Sequence, residues 1–252
     1  MSHRSPTPAP ASPPAAGAVE RPTRVWYASY GSNLHRERFL TYLCGGRPPG
    51  ASRTYPGCTD CTPPAADVPV RWPGRLHFAT RSPVWGGGIA FADALGDEDA
   101  PTGTEVLGRA YLITAEQFDQ VVHFENQGTC ATDAACTPLL AAVAHGRYAC
   151  GPGAYETLWH IGDRAGVPVV TFTAPFTAAD AARGSHELVR DGRRQRVRAC
   201  RPTAPYLRMI GRGLAETFGL DAGQQADYLR AGQGARDWGR EALIGVLAGG
   251  TS

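Results

Sequence analysis

The chain has 252 residues, of which 42% are apolar, and a formal net charge of +2 at pH 7. This length allows one large domain or two small ones with a buried core, and the apolar fraction is typical of a soluble globular protein. So small a net charge gives no electrostatic reason to expect binding to nucleic acid or to an acidic membrane. Thirty-one glycines and 21 prolines favour short elements and many turns, and therefore an α+β fold over a helical bundle.

The N-terminal stretch from Met1 to Glu20 is rich in proline, alanine and serine and lacks the apolar block of a secretory signal. No stretch of the sequence approaches the roughly 20 apolar residues that span a bilayer. We therefore expect residues 1–22 to be a disordered leader, residues 23–247 to form a single domain, and the protein to be cytoplasmic.

Seven cysteines, an odd number, are spread along the chain. Cys58 and Cys61 form the one Cys-x-x-Cys pair and resemble half a zinc knuckle. No second such pair follows, and Cys130 and Cys136 are six residues apart. A four-cysteine zinc site stays open, but free thiols fit this spacing better, so we expect neither a metal nor a cofactor.

The first regular elements flank a short polar loop. Val25 to Ser29 is rich in strand-forming residues, and Leu34 to Leu43 contains no Gly or Pro and is followed by the helix stop Gly45-Gly46. The loop between them consists of Tyr30, Gly31, Ser32, Asn33 and Leu34. Ser32 or Asn33 can cap the helix with its side-chain oxygen. The free backbone N–H groups at the N-terminus of the helix can attract a carboxylate or an oxyanion. Equally, these residue types are ordinary in strand–helix turns.

Residues 47–73 contain many prolines and predict an irregular loop. Strands are expected at Arg75–Thr80, Ile89–Ala92 and Val106–Ile113. Before the second of these strands come Gly86, Gly87 and Gly88, which either close a hairpin or let the backbone closely approach another backbone segment or a ligand.

Thr114 to Gln117 matches a capping box and predicts that a helix begins there. Phe118, Val121 and Val122 then share one face of the helix, and Glu125 occupies the next position of the same face. This pattern places a carboxylate toward the interior, where burial favours its neutral form and suits it to accept and return a proton. The alternative is that the helix frays before Glu125 and leaves it at the rim.

In the C-terminal half, a short helix is expected over Leu139–Tyr148, and a hairpin is expected from Tyr155–Ile161 and Val167–Thr173. Either Tyr155 or Tyr148 is a candidate to supply a phenol to a pocket. A helical stripe formed by Leu207, Ile210, Leu214 and Phe218 ends at Gly219, and a last short helix at Gln224–Leu229 precedes a tail of small residues.

Residues 186–201 concentrate arginines around Asp191-Gly192, a strong hairpin signal. This basic hairpin insertion either contacts an acidic substrate or partner, or is a solvated edge that its charges protect from aggregation.

The Tyr30–Leu34 loop resembles the signature of the gamma-glutamylcyclotransferase-like family, which opens with a strand, this loop and a helix. In that family the catalytic glutamate lies near the end of a short helix that follows a strand, as Glu125 does here. Gly87-Gly88-Ile89 resembles the family's glycine-glycine strand entry, and the Pro205-Tyr206 helix running into Gly219-Leu220 resembles its C-terminal helix. The resemblance covers about residues 25–126 and this later segment.

The resemblance implies an α+β fold with a small, mostly antiparallel, barrel-like sheet surrounded by helices. It implies a metal-independent enzyme of lyase or acyltransferase type that cleaves a gamma-glutamyl amide by intramolecular cyclisation and releases 5-oxoproline and an amine. Glu125 would be the general acid and base. The substrate-binding residues would be Tyr30, Gly31, Ser32, Asn33, Leu34, Gly87, Gly88 and Tyr155.

Two other functions stay open on the sequence. One is a non-catalytic module that binds an acidic metabolite or protein, and the other is an amide hydrolase acting on a natural-product intermediate. The seven histidines are dispersed and form no His-Glu-x-x-His cluster, and no cysteine has an evident histidine partner in the sequence. The identity of the amine and the oligomeric state are not encoded in any motif we find.

Overall fold

The computed structural model describes residues 21–48, 54–93, 104–126, 138–151, 153–190 and 193–249. The strands in these ranges are β1 Arg24–Ser29, β2 Ala66–Pro73, β3 Arg75–Arg81, β4 Gly88–Asp93, β5 Glu105–Thr114, β6 Arg147–Ala149, β7 Thr157–Arg164, β8 Val167–Thr173, β9 Glu187–Arg190 and β10 Arg193–Arg196. The α-helices are α1 Arg36–Cys44, α2 Ala115–Glu125, α3 Pro138–His145, α4 Ala178–Arg183, α5 Ala204–Phe218, α6 Ala222–Ala231 and α7 Arg240–Ala248.

Six strands form one sheet in the order β2-β5-β1-β8-β7-β6. β1 pairs in parallel with β8, and the other neighbours in this sheet are antiparallel. The prediction of an α+β fold with a mostly antiparallel sheet is confirmed. As far as the described residues show, this sheet is open, with β2 and β6 at its edges, and the β3–β4 hairpin lies beside it.

β1 is at the centre of the sheet and contributes to a hydrophobic cluster on each face. Val25 and Tyr27 pack on the face covered by α1, α2 and α3. Trp26 and Ala28 point to the opposite face, which the β3–β4 hairpin and α5 to α7 cover. Because side chains alternate along a strand, a run of apolar residues in every position is what a strand with two covered faces requires.

Two hairpins lie beside the sheet, the first formed by strands that the sequence predicts and the second predicted as a hairpin. β3 pairs antiparallel with β4, and the Thr173 hydroxyl joins β4 to β8 by accepting from Ala92 N and donating to Ala92 O. β9 and β10 form the predicted basic hairpin. The side chains of Arg193, Arg194 and Arg196 in it are exposed. Its turn signal, Asp191-Gly192, lies outside the described residues.

α2 begins, and α5 ends, where the sequence indicates. Thr114 and Gln117 form the capping box of α2 with reciprocal hydrogen bonds of 3.1 Å. α5 buries Leu207, Ile210 and Leu214 and ends at Gly219, whose φ of 68° is the left-handed conformation of a helix end.

Several sequence-based boundaries are wrong. β2 lies in the proline-rich segment predicted to be irregular, and it tolerates Pro69 and Pro73 because it is an edge strand with one unpaired side. The tail of small residues contains α7, which buries Leu243. The predicted helix over Leu139–Tyr148 ends at His145, because Gly146 has a φ of 77° and the chain continues as β6.

The leader expected at residues 1–22 lies outside the described residues except for its last two, and Cys130 and Cys136 lie outside them as well. None of the helices within the described ranges combines the length and the hydrophobicity needed to cross a membrane.

Candidate active site

A cavity of about 70 Å³ opens where β1 ends, between the Tyr30–Leu34 loop, the end of α2 and the start of α5. Six tyrosines line it, together with Asn33, Arg38 and Glu125; they are Tyr27, Tyr30, Tyr42, Tyr55, Tyr155 and Tyr206. Of the described residues in this lining, Arg38 and Glu125 are the charged ones. The cavity therefore combines neutral phenols with one cation and one anion.

The Tyr30–Leu34 loop has a different local structure from the one expected. Ser32 to Leu34 form a short 3₁₀ turn in which Leu34 N donates to Gly31 O at 3.0 Å. α1 therefore begins later, and His35 caps it by accepting from Arg38 N at 3.3 Å, so the prediction of a Ser32 or Asn33 cap is wrong. Among the described residues, the backbone N–H groups of Ser32 and Asn33 donate no hydrogen bond to a backbone carbonyl.

Gly31 is needed for space rather than for backbone conformation. Its φ is −104°, outside the left-handed region. A Cβ atom at this position would lie 3.3 Å from the Tyr206 hydroxyl and 3.8 Å from Ala90 Cβ. A side chain at this position would therefore require the Tyr206 hydroxyl to shift by a few tenths of an ångström.

Glu125 is the last residue of α2 and is half-buried. Phe118, Val121 and Val122 of the same face are buried, so the stripe continues into the carboxylate as expected. Asn33 Nδ2 donates to Glu125 Oε1 at 3.2 Å and to Tyr27 Oη at 3.2 Å. The structure thus brings the loop and the carboxylate into direct contact. Asn33 Oδ1 is buried and has no hydrogen-bond partner in the described residues.

Asn126, which the sequence did not single out, fixes the end of α2 beside Glu125. Its Nδ2 donates to Val122 O at 3.2 Å and to Tyr155 O at 3.0 Å, and its Oδ1 accepts from Tyr155 N at 3.0 Å. This side chain ties the segment before β7 to the helix end. Gly153 leaves room for it, because a Cβ there would collide with Asn126 Oδ1.

The phenols around the cavity are held by hydrogen bonds to the backbone. Tyr30 Oη donates to Phe172 O at 2.8 Å, Tyr155 Oη donates to Ala90 O at 3.0 Å, and Tyr206 Oη accepts from Ala90 N at 3.1 Å. Burial raises the pKa of five of the six phenols above the usual range, namely Tyr27, Tyr30, Tyr42, Tyr155 and Tyr206. These groups stay protonated and act as fixed dipoles.

Arg38 lies behind the loop between two aromatic rings. Its Cζ is 4.4 Å from the ring centre of Tyr42 and 4.8 Å from that of Tyr55. Its Nη2 donates to both hydroxyls, at 3.1 and 3.2 Å, and Nη1 donates to Thr41 Oγ1 at 3.1 Å. Burial alone would lower the pKa of Arg38, but the phenols and the Glu125 carboxylate outweigh it and the net shift is upward.

Six of the nine residues proposed from the sequence line the cavity, and these are Tyr30, Gly31, Ser32, Asn33, Glu125 and Tyr155. Leu34, Gly87 and Gly88 do not. Leu34 is buried against Gly213 of α5, while the two glycines make room for the segment before α5, where a Cβ on Gly87 would lie 2.8 Å from Arg201 O. Tyr148 lies in β6, away from the cavity.

Sequence reasoning missed Tyr27, Arg38, Tyr42, Tyr55 and Tyr206 in the cavity wall. Arg38 and Tyr42 are four residues apart in α1, a spacing that places them on one helix face and offered a signal. Tyr55 comes from the proline-rich segment, where no local pattern indicates which side chain turns inward.

The basic hairpin and the cysteines lie elsewhere. None of the described residues of the hairpin lines the cavity. Cys58 is buried and donates to Tyr42 O at 3.5 Å, while Cys61 is exposed. Over the described ranges, no group of three His, Cys, Asp or Glu residues is placed to hold a metal ion.

No family model matches the chain. It is 29% identical over 212 residues to histone deacetylase 5 of Arabidopsis thaliana, a match that spans 81% of this chain and 30% of the plant protein. Among solved structures it is similar to uncharacterized protein loc79017 from Homo sapiens (TM-score 0.44, 15% identity, 89% of this chain and 99% of that one). It is also similar to a gamma-glutamyl cyclotransferase (TM-score 0.42, 16% identity, 88% and 98%). A gamma-glutamyl cyclotransferase from yeast described as specific to glutathione has a TM-score of 0.34 and 12% identity, over 91% and 97% of the two chains.

Proposed function

We propose that this chain cleaves gamma-glutamyl amides by intramolecular cyclisation, releasing 5-oxoproline and an amine. The observation that carries the proposal is the contact of 3.2 Å between Asn33 Nδ2 and Glu125 Oε1 at the wall of the cavity. It joins the loop that resembles the family signature to the one carboxylate among the described lining residues. The proposed substrate is a small molecule, which a cavity of about 70 Å³ supports.

In this reaction the α-amine of the glutamyl group attacks its own γ-carbonyl carbon. Glu125 accepts the proton that the amine loses as the new C–N bond forms, and it donates that proton to the departing nitrogen as the original amide bond breaks. The same carboxyl group thus ends the cycle in its starting form. No oxidant, reductant or external nucleophile is consumed.

Two further features favour this chemistry. The backbone N–H groups of Ser32 and Asn33 are available to stabilise the oxyanion that develops on the γ-carbonyl. The nucleophile and the electrophile belong to one molecule, so a cavity that holds the substrate folded contributes about 7 to 11 kcal/mol of the barrier reduction.

Replacement of Glu125 tests the proposal. With a panel of gamma-glutamyl amides, the wild type is expected to release 5-oxoproline, and Glu125→Gln is expected to lower turnover by roughly 100- to 10,000-fold, because it removes the proton-accepting group. Glu116→Gln is the matched control, since Glu116 lies in the first turn of the same helix with 64% of its side chain exposed.

The outcome that contradicts the proposal is a Glu125→Gln protein with unchanged turnover, or a wild type that releases no 5-oxoproline from any member of the panel. Ligand binding without turnover would favour the binding module over the enzyme. Circular dichroism of both variants checks that the fold is retained.

A further inference from the structure

We propose that Arg38 is the carboxylate-binding residue of this cavity and that the cavity recognises the free α-amino-acid head of its ligand, the ammonium or amine group together with the α-carboxylate. Cleavage of the bound ligand rests on the proposed function. Binding of its α-amino-acid head rests only on the charges and hydrogen-bonding groups of the cavity.

Arg38 is a buried cation whose nearest partners are neutral. Its residue surface is 2% exposed, and its hydrogen bonds go to one threonine and two tyrosine hydroxyls. Within the described residues no carboxylate lies within ion-pair distance of it, and its Nε has no hydrogen-bond partner. A buried donor without an acceptor costs free energy, and a carboxylate is a strong acceptor for a guanidinium group. A ligand carboxylate would accept from this donor and place an anion next to Arg38.

Asn33 offers the complementary group on the same cavity wall. Its Oδ1 is a buried acceptor without a partner in the part of the chain that the structure describes, and the residue is 3% exposed. An N–H of the ligand's amine satisfies this acceptor. Since Nδ2 of the same amide contacts Glu125 Oε1, an amine bound at Asn33 lies beside the carboxylate that has to deprotonate it.

The two charges of the described lining also match such a head. Arg38 is positive and Glu125 is negative, so a zwitterion meets an opposite charge at each end. The backbone N–H groups of Ser32 and Asn33 then stay available for the oxyanion. A ligand without the α-carboxylate supplies no anion to Arg38.

The test measures binding by calorimetry in the Glu125→Gln background, where turnover does not interfere. The ligands are L-gamma-glutamyl methylamide and its analogue in which the α-carboxylate is an α-carboxamide. We expect the carboxylate ligand to bind roughly 10- to 100-fold more tightly than the carboxamide, as hydrogen bonds to a charged group imply. Adding Arg38→Met is expected to abolish this ratio, mainly by weakening the carboxylate ligand.

Arg38→Lys keeps the positive charge but not the planar donor fork, and it is expected to retain part of the ratio. Arg36→Met is the matched control in the same helix, because Arg36 pairs with Asp67 outside the cavity, and it should leave the ratio unchanged. The ratio of two ligands on one protein is insensitive to a loss of folded fraction. If Arg38→Met does not fold, the comparison uses Arg38→Lys instead. The inference then requires that the preference for the carboxylate ligand is smaller in Arg38→Lys than in the Glu125→Gln protein.

Equal affinity for the two ligands, failure of both to bind, or a ratio that survives Arg38→Met would overturn the inference. Carboxylate-selective binding that depends on Arg38, in a protein that releases no 5-oxoproline, would uphold it while the proposed reaction fails. Turnover without selectivity for the carboxylate would uphold the proposed reaction and overturn the inference.

Discussion

Asn33 connects the two walls of the cavity through one amide group. Its Nδ2 is shared between the Tyr27 hydroxyl and the Glu125 carboxylate, each at 3.2 Å. Donation to a carboxylate favours the ionised form, which is the form that a general base needs. In the proposed reaction the residue would therefore position Glu125, and its Oδ1, which has no hydrogen-bond partner among the described residues, would accept from the ligand amine.

This double role predicts the effect of Asn33→Asp. The substitution replaces the donor facing Glu125 by a second carboxylate, and two carboxylates in contact cannot both ionise readily. We expect the pH at which turnover is half-maximal to rise by roughly one unit or more, since the base is then deprotonated only at higher pH. Initial rates of 5-oxoproline release between pH 5 and 9 measure the shift.

Gln120→Glu serves as the control, because it adds the same charge to α2 at a side chain that contacts Thr59 rather than the cavity. A pH profile of Asn33→Asp that coincides with that of the control would show that Asn33 does not influence the base.

At the scale of elements, the position of the loop depends on α5. Gly213 of this helix faces Leu34, and a Cβ there would collide with Leu34 Cβ and with the backbone of the loop. Further along the chain, the ion pairs of Arg109 with Glu216 of α5, at 3.0 Å, and with Asp67 of β2, at 2.6 Å, hold these elements around the loop. These contacts thus hold the loop in place on the side opposite the cavity.

Gly213→Ala is therefore expected to destabilise the protein by about 1–3 kcal/mol and to lower turnover, although the residue does not line the cavity. Gly245→Ala in α7 is the control: no atom lies within 4 Å of a Cβ at that position, so this substitution should stabilise its helix slightly. Urea unfolding and initial rates of both variants provide the comparison. Equal stability of the two variants would contradict the close packing of α5 on the loop.

The contrast between Glu125 and Tyr55 shows which parts of the site the sequence could predict. Glu125 follows a capping box and a helical stripe, so local rules fix both its element and the side on which it lies. Tyr55 reaches the cavity through contacts with Arg38 and Tyr42 from a proline-rich segment, and such contacts between distant segments leave no periodicity in the sequence. Gly87 and Gly88 lie close to the backbone of the segment before α5, so the structure shows an approach of backbone to backbone, which the glycine run allowed as well as the approach of a ligand.

The strands of the sheet also divide into those that local sequence patterns predict and those that they do not. Central strands such as β1 were found because burial on both faces produces a continuous apolar run. The edge strand β2 was missed, since its prolines and mixed polarity are compatible with pairing on one side only.

At the scale of the whole molecule, the structure contains a buried polar pair away from the cavity. His77 is fully buried, and its Nδ1 lies 3.3 Å from Asp93 Oδ1. Burial lowers the pKa of His77 to about 4 and raises the pKa of Asp93 to about 6. Between these values both groups are neutral, and Asp93 Oδ2 also accepts from Ala178 N at the start of α4.

The two shifts have opposite consequences for stability. The unfolded chain protonates His77 near pH 6.5 and the folded one only near 4, so this residue costs stability as the pH falls through that window. The folded chain keeps Asp93 protonated up to about 6 and the unfolded one only to 3.8, so this residue costs stability as the pH rises through that window. In the wild type the two effects largely cancel between pH 4 and 6.

Single substitutions separate these effects. Asp93→Asn removes the carboxyl group, so that His77 is the member of the pair that still titrates. This variant is expected to lose up to about 3 kcal/mol of unfolding free energy as the pH falls from 6.5 to 4. His77→Phe leaves the carboxyl and is expected to lose a similar amount as the pH rises from 4 to 6. Urea unfolding at pH 4, 5, 6 and 6.5 gives the two slopes, with the wild type measured alongside as the reference. Slopes of the same sign in Asp93→Asn and His77→Phe would rule out a neutral buried pair.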